Sequence, residues 1–346
     1  MSKYLTTDNI GTIKQLIEAN SSSGIPEAPN DGAWYARVSQ SWGRIAAPPW
    51  ATGRTWATQQ SAANSSWTSV TYGNGLFVSV ATNDTNNQVM TSPDGIIWMA
   101  RQKATNNNWQ SVTYGNGLFV AVANTGTGNR VMTSPDGITW TAQQSAADNY
   151  WASVTYGNGL FVAVAQSGVG NRVMTSPDGI AWTAQQSAAD SFWRSVAFGN
   201  GLFVAVASSG TGNQVMTSPD GITWTAQQSV ANSAWQSVTY GNGLFVAVAV
   251  AQNNQIMTSS DGGITWTLAS YKAFMVENWN SVTYGNGLFV AVGGSGANRV
   301  ITSPDGINWT AQQCAAYNQW NSVTYGNGLF VAVASSGTGN RVMTAP

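Results

Sequence analysis

The side chains that could carry chemistry are few. Among 346 residues there is no histidine and one cysteine, Cys314, at a repeat position where other copies carry Ser61, Ser145, Ser187 or Ser229. That stock supports neither a zinc or copper site of the usual His/Cys kind nor an intrachain disulfide, so no metal and no cofactor is expected. Beyond residue 50 there is one glutamate, Glu277. The aspartates there are Asp84, Asp148 and Asp190, plus Asp94, Asp136, Asp178, Asp220, Asp261 and Asp305, which recur in one turn motif. Glycoside hydrolysis needs a positioned pair of carboxylates or a Tyr/Glu nucleophile pair. Asp148 and Asp190 share one repeat position, which is Asn64, Asn106 or Asn232 elsewhere, and an Asx turn explains that exchange. Arg130, Arg172, Arg299 and Arg341 alternate around the chain with Gln88, Gln214 and Gln255 and do not read as one converging set. The expectation is that the chain is not an enzyme. A glycan hydrolase is the remaining catalytic alternative, marked by turnover that is lost on Glu277→Gln or Asp190→Asn.

Recognition chemistry is better supplied. Where the copies differ, the residues are Asn, Ser and aromatics: Asp148-Asn149-Tyr150, Asp190-Ser191-Phe192 and Tyr317-Asn318-Gln319 among them. Aromatic faces stack on the apolar faces of sugar rings, and amides pair with hydroxyls. Candidate ligand-binding residues are Tyr150, Phe192, Arg194, Tyr317, Asp148 and Asp190. Trp67, Trp109, Trp151, Trp193, Trp235, Trp279 and Trp320 join them because each starts an innermost strand near a central opening; packing is the other reading of those seven. With 13 Lys+Arg and a net charge of −1, no basic patch for nucleic acid is expected. No apolar run is long enough to span a membrane, and the N-terminus does not read as a signal peptide.

These residues sit in a repeat. The aromatic of Y/F-G-N-G falls at Tyr72, Tyr114, Tyr156, Phe198, Tyr240, Tyr284 and Tyr325, every 41 to 44 residues. Short strands and tight turns at that period predict an all-β, seven-bladed propeller of four-stranded blades. In the third copy, Trp151 to Tyr156 is strand 1, Asn158-Gly159 a tight turn, Leu160 to Ala165 a strand apolar on both faces, Arg172 to Thr175 strand 3 and Ile180 to Gln186 strand 4. The chain ends on a strand 3, whereas Gly53 to Gln60 is a copy of strand 4. The N-terminal strand is therefore expected to complete the last blade and close the ring. The invariant 1–2 and 3–4 turns fall on one rim, and the variable 2–3 and 4–1 loops on the other. Variation on a rigid frame marks function; drift in unconstrained loops yields the same pattern.

Ser259-Ser260-Asp261-Gly262-Gly263-Ile264-Thr265-Trp266 fits S-x-D-x-G-x-x-W, and the other copies are one residue shorter, as in Ser134-Pro135-Asp136-Gly137-Ile138-Thr139-Trp140. The motif resembles that of the Asp-box propellers, which include sialidases and many binding proteins. The resemblance implies a structural turn at the six aspartates, on the side away from any active site.

Residues 1–49 differ in kind and are read as an attachment arm, with residues 50–346 as the propeller. Asp8 to Asn20 predicts a short amphipathic helix capped by Asp8, followed by a Ser/Gly linker and an extended segment over 24–46. Pro26-Glu27-Ala28-Pro29-Asn30-Asp31-Gly32-Ala33-Trp34-Tyr35-Ala36-Arg37, continuing to Trp42, resembles a segment of bacteriophage tail-fibre and other virion-appendage proteins, where it adjoins a trimeric β shaft. Trp34, Tyr35, Trp42 and Ile45 lack partners within so thin a segment and are expected to form a homotrimer contact or to dock on other virion proteins. The expectation is an exposed virion appendage, of tail or head, whose propeller binds a host-surface glycan or receptor. The alternatives are a structural virion decoration and, second, a sialidase-like hydrolase.

Overall fold

The computed structural model describes residues 55–82, 87–250, 256–269, 278–296 and 298–346, with the backbone of two further strands, Tyr35–Val38 and Ser41–Arg44. The chain divides into two compact units, Met1–Gly53 and Arg54–Pro346. In the first, the two strands pair antiparallel, Tyr35 opposite Arg44 and Val38 opposite Ser41. This is a hairpin within what the sequence read as one extended segment. The expected helix over 8–20, Trp34, Ile45 and the side chains of Tyr35 and Trp42 lie outside the described residues.

The second unit consists of seven four-stranded antiparallel sheets. Blade three has strands Trp151–Gly157, Leu160–Ala165, Val173–Ser176 and Thr183–Gln185, paired in chain order. Its first turn works because Asn158 and Gly159 hold φ at 49° and 77°, the left-handed pair that a two-residue hairpin of matching twist demands. Strand 2 is buried on both faces. Phe161, Ala163 and Ala165 pack with Trp151 and Met174 against Val120, Val122 and Val131 of blade two. The opposite face, Val162 and Val164, enters the next interface with Trp193 and Phe203. Each blade thus buries its apolar surface only against its neighbours, which is why the repeats stack into a ring.

The second turn is organised by its aspartate. Asp178 Oδ1 accepts the Ile180 and Ala181 N–H at 2.9 and 3.0 Å and the Ser176 hydroxyl at 2.9 Å. Trp182 Nε1 donates to Gly179 O at 2.9 Å and locks the far side. Those backbone donors, Ala181 first, hold the Asp178 carboxyl below its ordinary value. In the longer fifth copy, burial pushes Asp261 upward, but the Thr265 hydroxyl and N–H and further donors outweigh it and bring the group down to about 2.

Two rings of identical contacts run around the axis. Each strand-1 valine N–H donates to the serine Oγ of the preceding blade's strand 1, from Val112 to Ser69 (3.1 Å) through Val323 to Ser281 (3.2 Å), and Val70 to Ser322 (3.1 Å) completes the circle. The innermost strand has no further strand to pair with, and these hydroxyls satisfy its free N–H groups. The second ring packs an aromatic on a glycine. The Phe198 ring covers Gly157 and Tyr72 covers Gly326 so closely that a Cβ on either glycine would collide with it. Closure is as expected: Ala57, Thr58 and Gln59 pair with Thr344, Met343 and Val342.

Candidate functional site

On the variable rim, the 4–1 loops and 2–3 loops are stapled together, and this determines which side chains remain available. Asp148 Oδ1 accepts Gly128 N–H at 2.7 Å and lies 3.5 Å from Arg130 Nε. Asp190 repeats this with Gly170 at 2.8 Å and Arg172 at 3.4 Å. Asn64 and Asn232 perform the same task on Gly339 and Gly212, both at 2.8 Å. The Asn/Asp exchange is therefore structural. The partner is the 2–3 loop of the preceding blade, 20 residues back in sequence, where the sequence suggested a local Asx turn. The next residue staples forward, Asn149 Nδ2 donating to Asn171 O at 2.8 Å. Asp148 and Asp190 each commit one carboxylate oxygen, Oδ1, to the frame.

The recurring arginines belong to the same frame. Arg130 Nη1 donates to Asn124 O (3.0 Å) and Asn149 O (2.8 Å), and Nε to Gly126 O (2.8 Å). Arg172 and Arg341 make the equivalent bonds. Gln88 and Gln214 replace them with one amide donated to Asn107 O at 2.8 Å and to Ser233 O. Arginine and glutamine alternate because both reach the same carbonyl.

Arginine does one thing glutamine cannot. Arg130 Cζ lies 5.8 Å from the Tyr150 ring centroid, Arg172 5.8 Å from Phe192 and Arg299 5.6 Å from Tyr317. These aromatics are 54%, 48% and 72% exposed. Each has a cation beneath it, held by backbone carbonyls, so the ring is propped with accessible surface remaining. Tyr317 occupies the position that is Asp148 or Asp190 in other blades, and Arg299 there donates to Tyr317 O and Asn318 O at 2.7 and 2.6 Å. The three aromatics are where the sequence placed them. Their arginine supports were missed, because the two partners lie about 20 residues apart with only the repeat register to connect them.

The strand-1 tryptophans are a correction. Trp67, Trp109, Trp151, Trp193, Trp235, Trp279 and Trp320 are all 0% exposed. In five of the blades the indole N–H donates to the carbonyl four residues earlier, as in Trp151 to Ala147 at 3.0 Å and Trp193 to Ala189 at 3.0 Å. They anchor the 4–1 loops from below and offer no face to a ligand. The physical reason is the bulge after each one, between Trp151 and Ser153 for instance, which turns the indole into the interface between blades.

The residues flanking each tryptophan form a collar. Asn278, Asn280, Gln319 and Asn321, with Val250, Gly294 and Ser295, line a hollow of about 260 Å³ that spans blades five to seven. Asn280 Nδ2 and Asn321 Nδ2 bridge to the next blade's tryptophan carbonyl, Trp320 O at 2.9 Å and Trp67 O at 2.8 Å. In blade four the corresponding residues are Phe192 and Arg194, with Arg194 Nε donating to Ser208 Oγ at 3.0 Å. Among the described residues no cluster of three or more His, Cys, Asp or Glu could hold a metal ion. Glu277 lies outside the described residues.

Solved structures share this architecture. Virginiamycin B lyase from Staphylococcus aureus superposes with a TM-score of 0.70 at 13% identity, over 84% of this chain and 98% of that one. A streptogramin B lyase gives 0.73 at 10%, over 87% and 99%. YCF48 bound to D1 peptide gives 0.63 at 15%, over 84% and 94%. No protein-family model and no curated protein matches the sequence. At these identities the likeness establishes the seven-bladed fold.

The comparison also corrects the expectation that the chain is not an enzyme. That expectation rested on missing hydrolase carboxylates, yet lyases occupy this same frame. In the S. aureus lyase a histidine-to-alanine variant is catalytically inactive. The present chain has no histidine, so chemistry on this frame would have to use other side chains.

Proposed function

We propose that the propeller binds a glycan on its variable rim, through aromatic faces held rigid by arginines. The observation that carries this reading is the repeated unit of an exposed aromatic over a carbonyl-tethered guanidinium at Tyr150, Phe192 and Tyr317. Ordering an aromatic before the ligand arrives lowers the entropic cost of stacking a sugar on it. The amides Asn278, Asn280, Gln319 and Asn321 supply donors and acceptors around the hollow they line. We further propose that the glycan or receptor lies on a host surface. In this reading the propeller is the head of a virion appendage, and residues 1–49 join it to other virion proteins as a homotrimer through Trp34, Tyr35, Trp42 and Ile45. Weak sites repeated across copies would then gain avidity.

The test is a glycan array probed with the full chain, followed by calorimetry. Binding that drops about tenfold in Phe192→Ala or Tyr317→Ala, with unfolding midpoints unchanged, supports the reading. Absence of binding to any glycan sinks it. A second reading, structural decoration of a particle, is favoured by one observation: the seven strand-1 tryptophans are wholly committed to packing. The assembly arm is tested separately, by comparing the solution mass of the intact chain with that of a chain begun at Pro49.

A further inference from the structure

Arg194 stands apart from every other arginine among the described residues. Arg130, Arg172, Arg299 and Arg341 each commit Nε and Nη1 to loop carbonyls, and Arg101 bonds Thr91 Oγ1 and Met99 sulfur. Arg194 donates Nε–H to Ser208 Oγ at 3.0 Å, and its two Nη groups have no hydrogen-bond partner among the described residues. Among the described residues it makes no ion pair either: the two acids of the neighbouring loops, Asp148 and Asp190, face Arg130 and Arg172. Its side chain is half-buried, and burial pulls the guanidinium below the ordinary arginine value, far too little reason for it to lose its charge. A partly desolvated cation with unspent donors favours an anion more strongly than a fully hydrated one.

Its surroundings specify the kind of anion. Arg194 is two residues from Phe192, the exposed ring propped on Arg172. The equivalent residue in blade three is Ala152 and the flanking aromatic there is Tyr150. Where Thr68, Asn280 and Asn321 reach across to the next blade's tryptophan carbonyl, Ala152 has no side-chain group to do so. The Arg172 charge beneath Phe192 is matched by Asp190, so the guanidinium of Arg194 is the unmatched one of the two, which suits one singly charged group and not a polyanion. A planar fork of two Nη groups matches the two oxygens of a carboxylate.

We propose that the collar between blades three and four binds a carboxylate-bearing saccharide, with Arg194 gripping the carboxylate and Tyr150 and Phe192 providing stacking faces. This rests on the glycan-binding reading above and narrows its ligand to acidic sugars.

The experiment titrates the full chain with a panel of uronic- and nonulosonic-acid oligosaccharides, each paired with its carboxyl-reduced neutral form, and with one sulfate-ester oligosaccharide. At least one acid is expected to bind tenfold or more tighter than its reduced partner at low salt. Arg194→Gln should remove that margin while leaving the affinity for the neutral form unchanged, and 0.5 M salt should shrink it. An unchanged unfolding midpoint for R194Q shows that the frame is intact; among the described residues the hydrogen bond lost is the one to Ser208. Equal affinity for acid and neutral forms, preference for the sulfate ester alone, or a margin that survives in R194Q overturns this proposal while the glycan reading stands. If no saccharide binds, both fall.

Discussion

Gln59 and Thr344 are separated by 285 positions, and Gln59 Nε2 donates to Thr344 Oγ1 at 3.0 Å. The same bond joins Gln185 to Thr175 at 3.0 Å and Gln227 to Thr217 at 3.0 Å within continuous hairpins. The ring is thus closed by a contact identical to those that shape each blade, made between the two ends of the propeller chain.

Closure should therefore be worth several kcal/mol. Trp56 is 5% exposed and packs with Trp320, Phe330 and Met343 in the seventh interface. Trp56→Ala is expected to cost about 3–5 kcal/mol, the range for emptying a buried aromatic site, read by urea unfolding. Trp182→Ala, at the equivalent tryptophan of a continuous blade, which packs against the core of Trp151, Phe161 and Met174, should cost a comparable amount. A cost for Trp56→Ala far below that for Trp182→Ala would mean that the N-terminal strand is not integral to the ring.

The aromatic-on-glycine ring predicts a coupled pair. Gly157→Ala forces a Cβ into the Phe198 ring and should destabilise by about 1–3 kcal/mol. In the Phe198→Ala background the same change should be far milder. A double-mutant cycle with a coupling energy near zero would show that the two residues do not meet.

The serine ring is testable at any sector. Ser153→Ala deprives Val196 N–H of its acceptor, now at 3.2 Å, and about 1 kcal/mol of stability should go with it. Comparable losses are expected for Ser111→Ala, which serves Val154, and for Ser322→Ala, which serves Val70 across the closure.

Stability should respond to acid in one window only. The carboxyls of Asp94, Asp136, Asp178, Asp220 and Asp305 are held below the ordinary aspartate value, and Asp261 at about 2. A folded value below the unfolded one means that the stabilisation is complete above the unfolded pKa of about 3.9 and is lost as pH falls through the folded values. With no histidine in the chain, no histidine step is expected between pH 5 and 8. Urea midpoints measured from pH 7 to pH 2 should hold level to about pH 5 and then fall. Asp261→Asn should flatten the last part of that fall.

A change that touches no ligand should still weaken binding. Arg172→Gln keeps an amide able to reach the Ser191 carbonyl, as Gln214 does for Ser233, but removes the cation beneath Phe192. Glycan affinity should drop several-fold with the unfolding midpoint nearly constant. Loss of stability without loss of affinity would reassign Arg172 to the frame alone.

The repeat and its turn chemistry determined the fold from the sequence alone, and the physical reason is redundancy. Asn158-Gly159, Ser176-Pro177-Asp178-Gly179 and the doubly apolar Leu160–Ala165 each admit one local structure. Seven near-copies then leave little choice but to stack and close, and the stray strand-4 copy at residues 57–59 marks where. The site was legible only in part. Tyr150, Phe192 and Tyr317 stood out because they break the repeat, but side-chain direction was beyond sequence. Trp193 and Arg194 are adjacent, yet the tryptophan is sealed between blades while the arginine keeps unspent donors. A bulge in the tertiary sheet separates them, and no one-dimensional pattern records which way a bulged strand turns its residues.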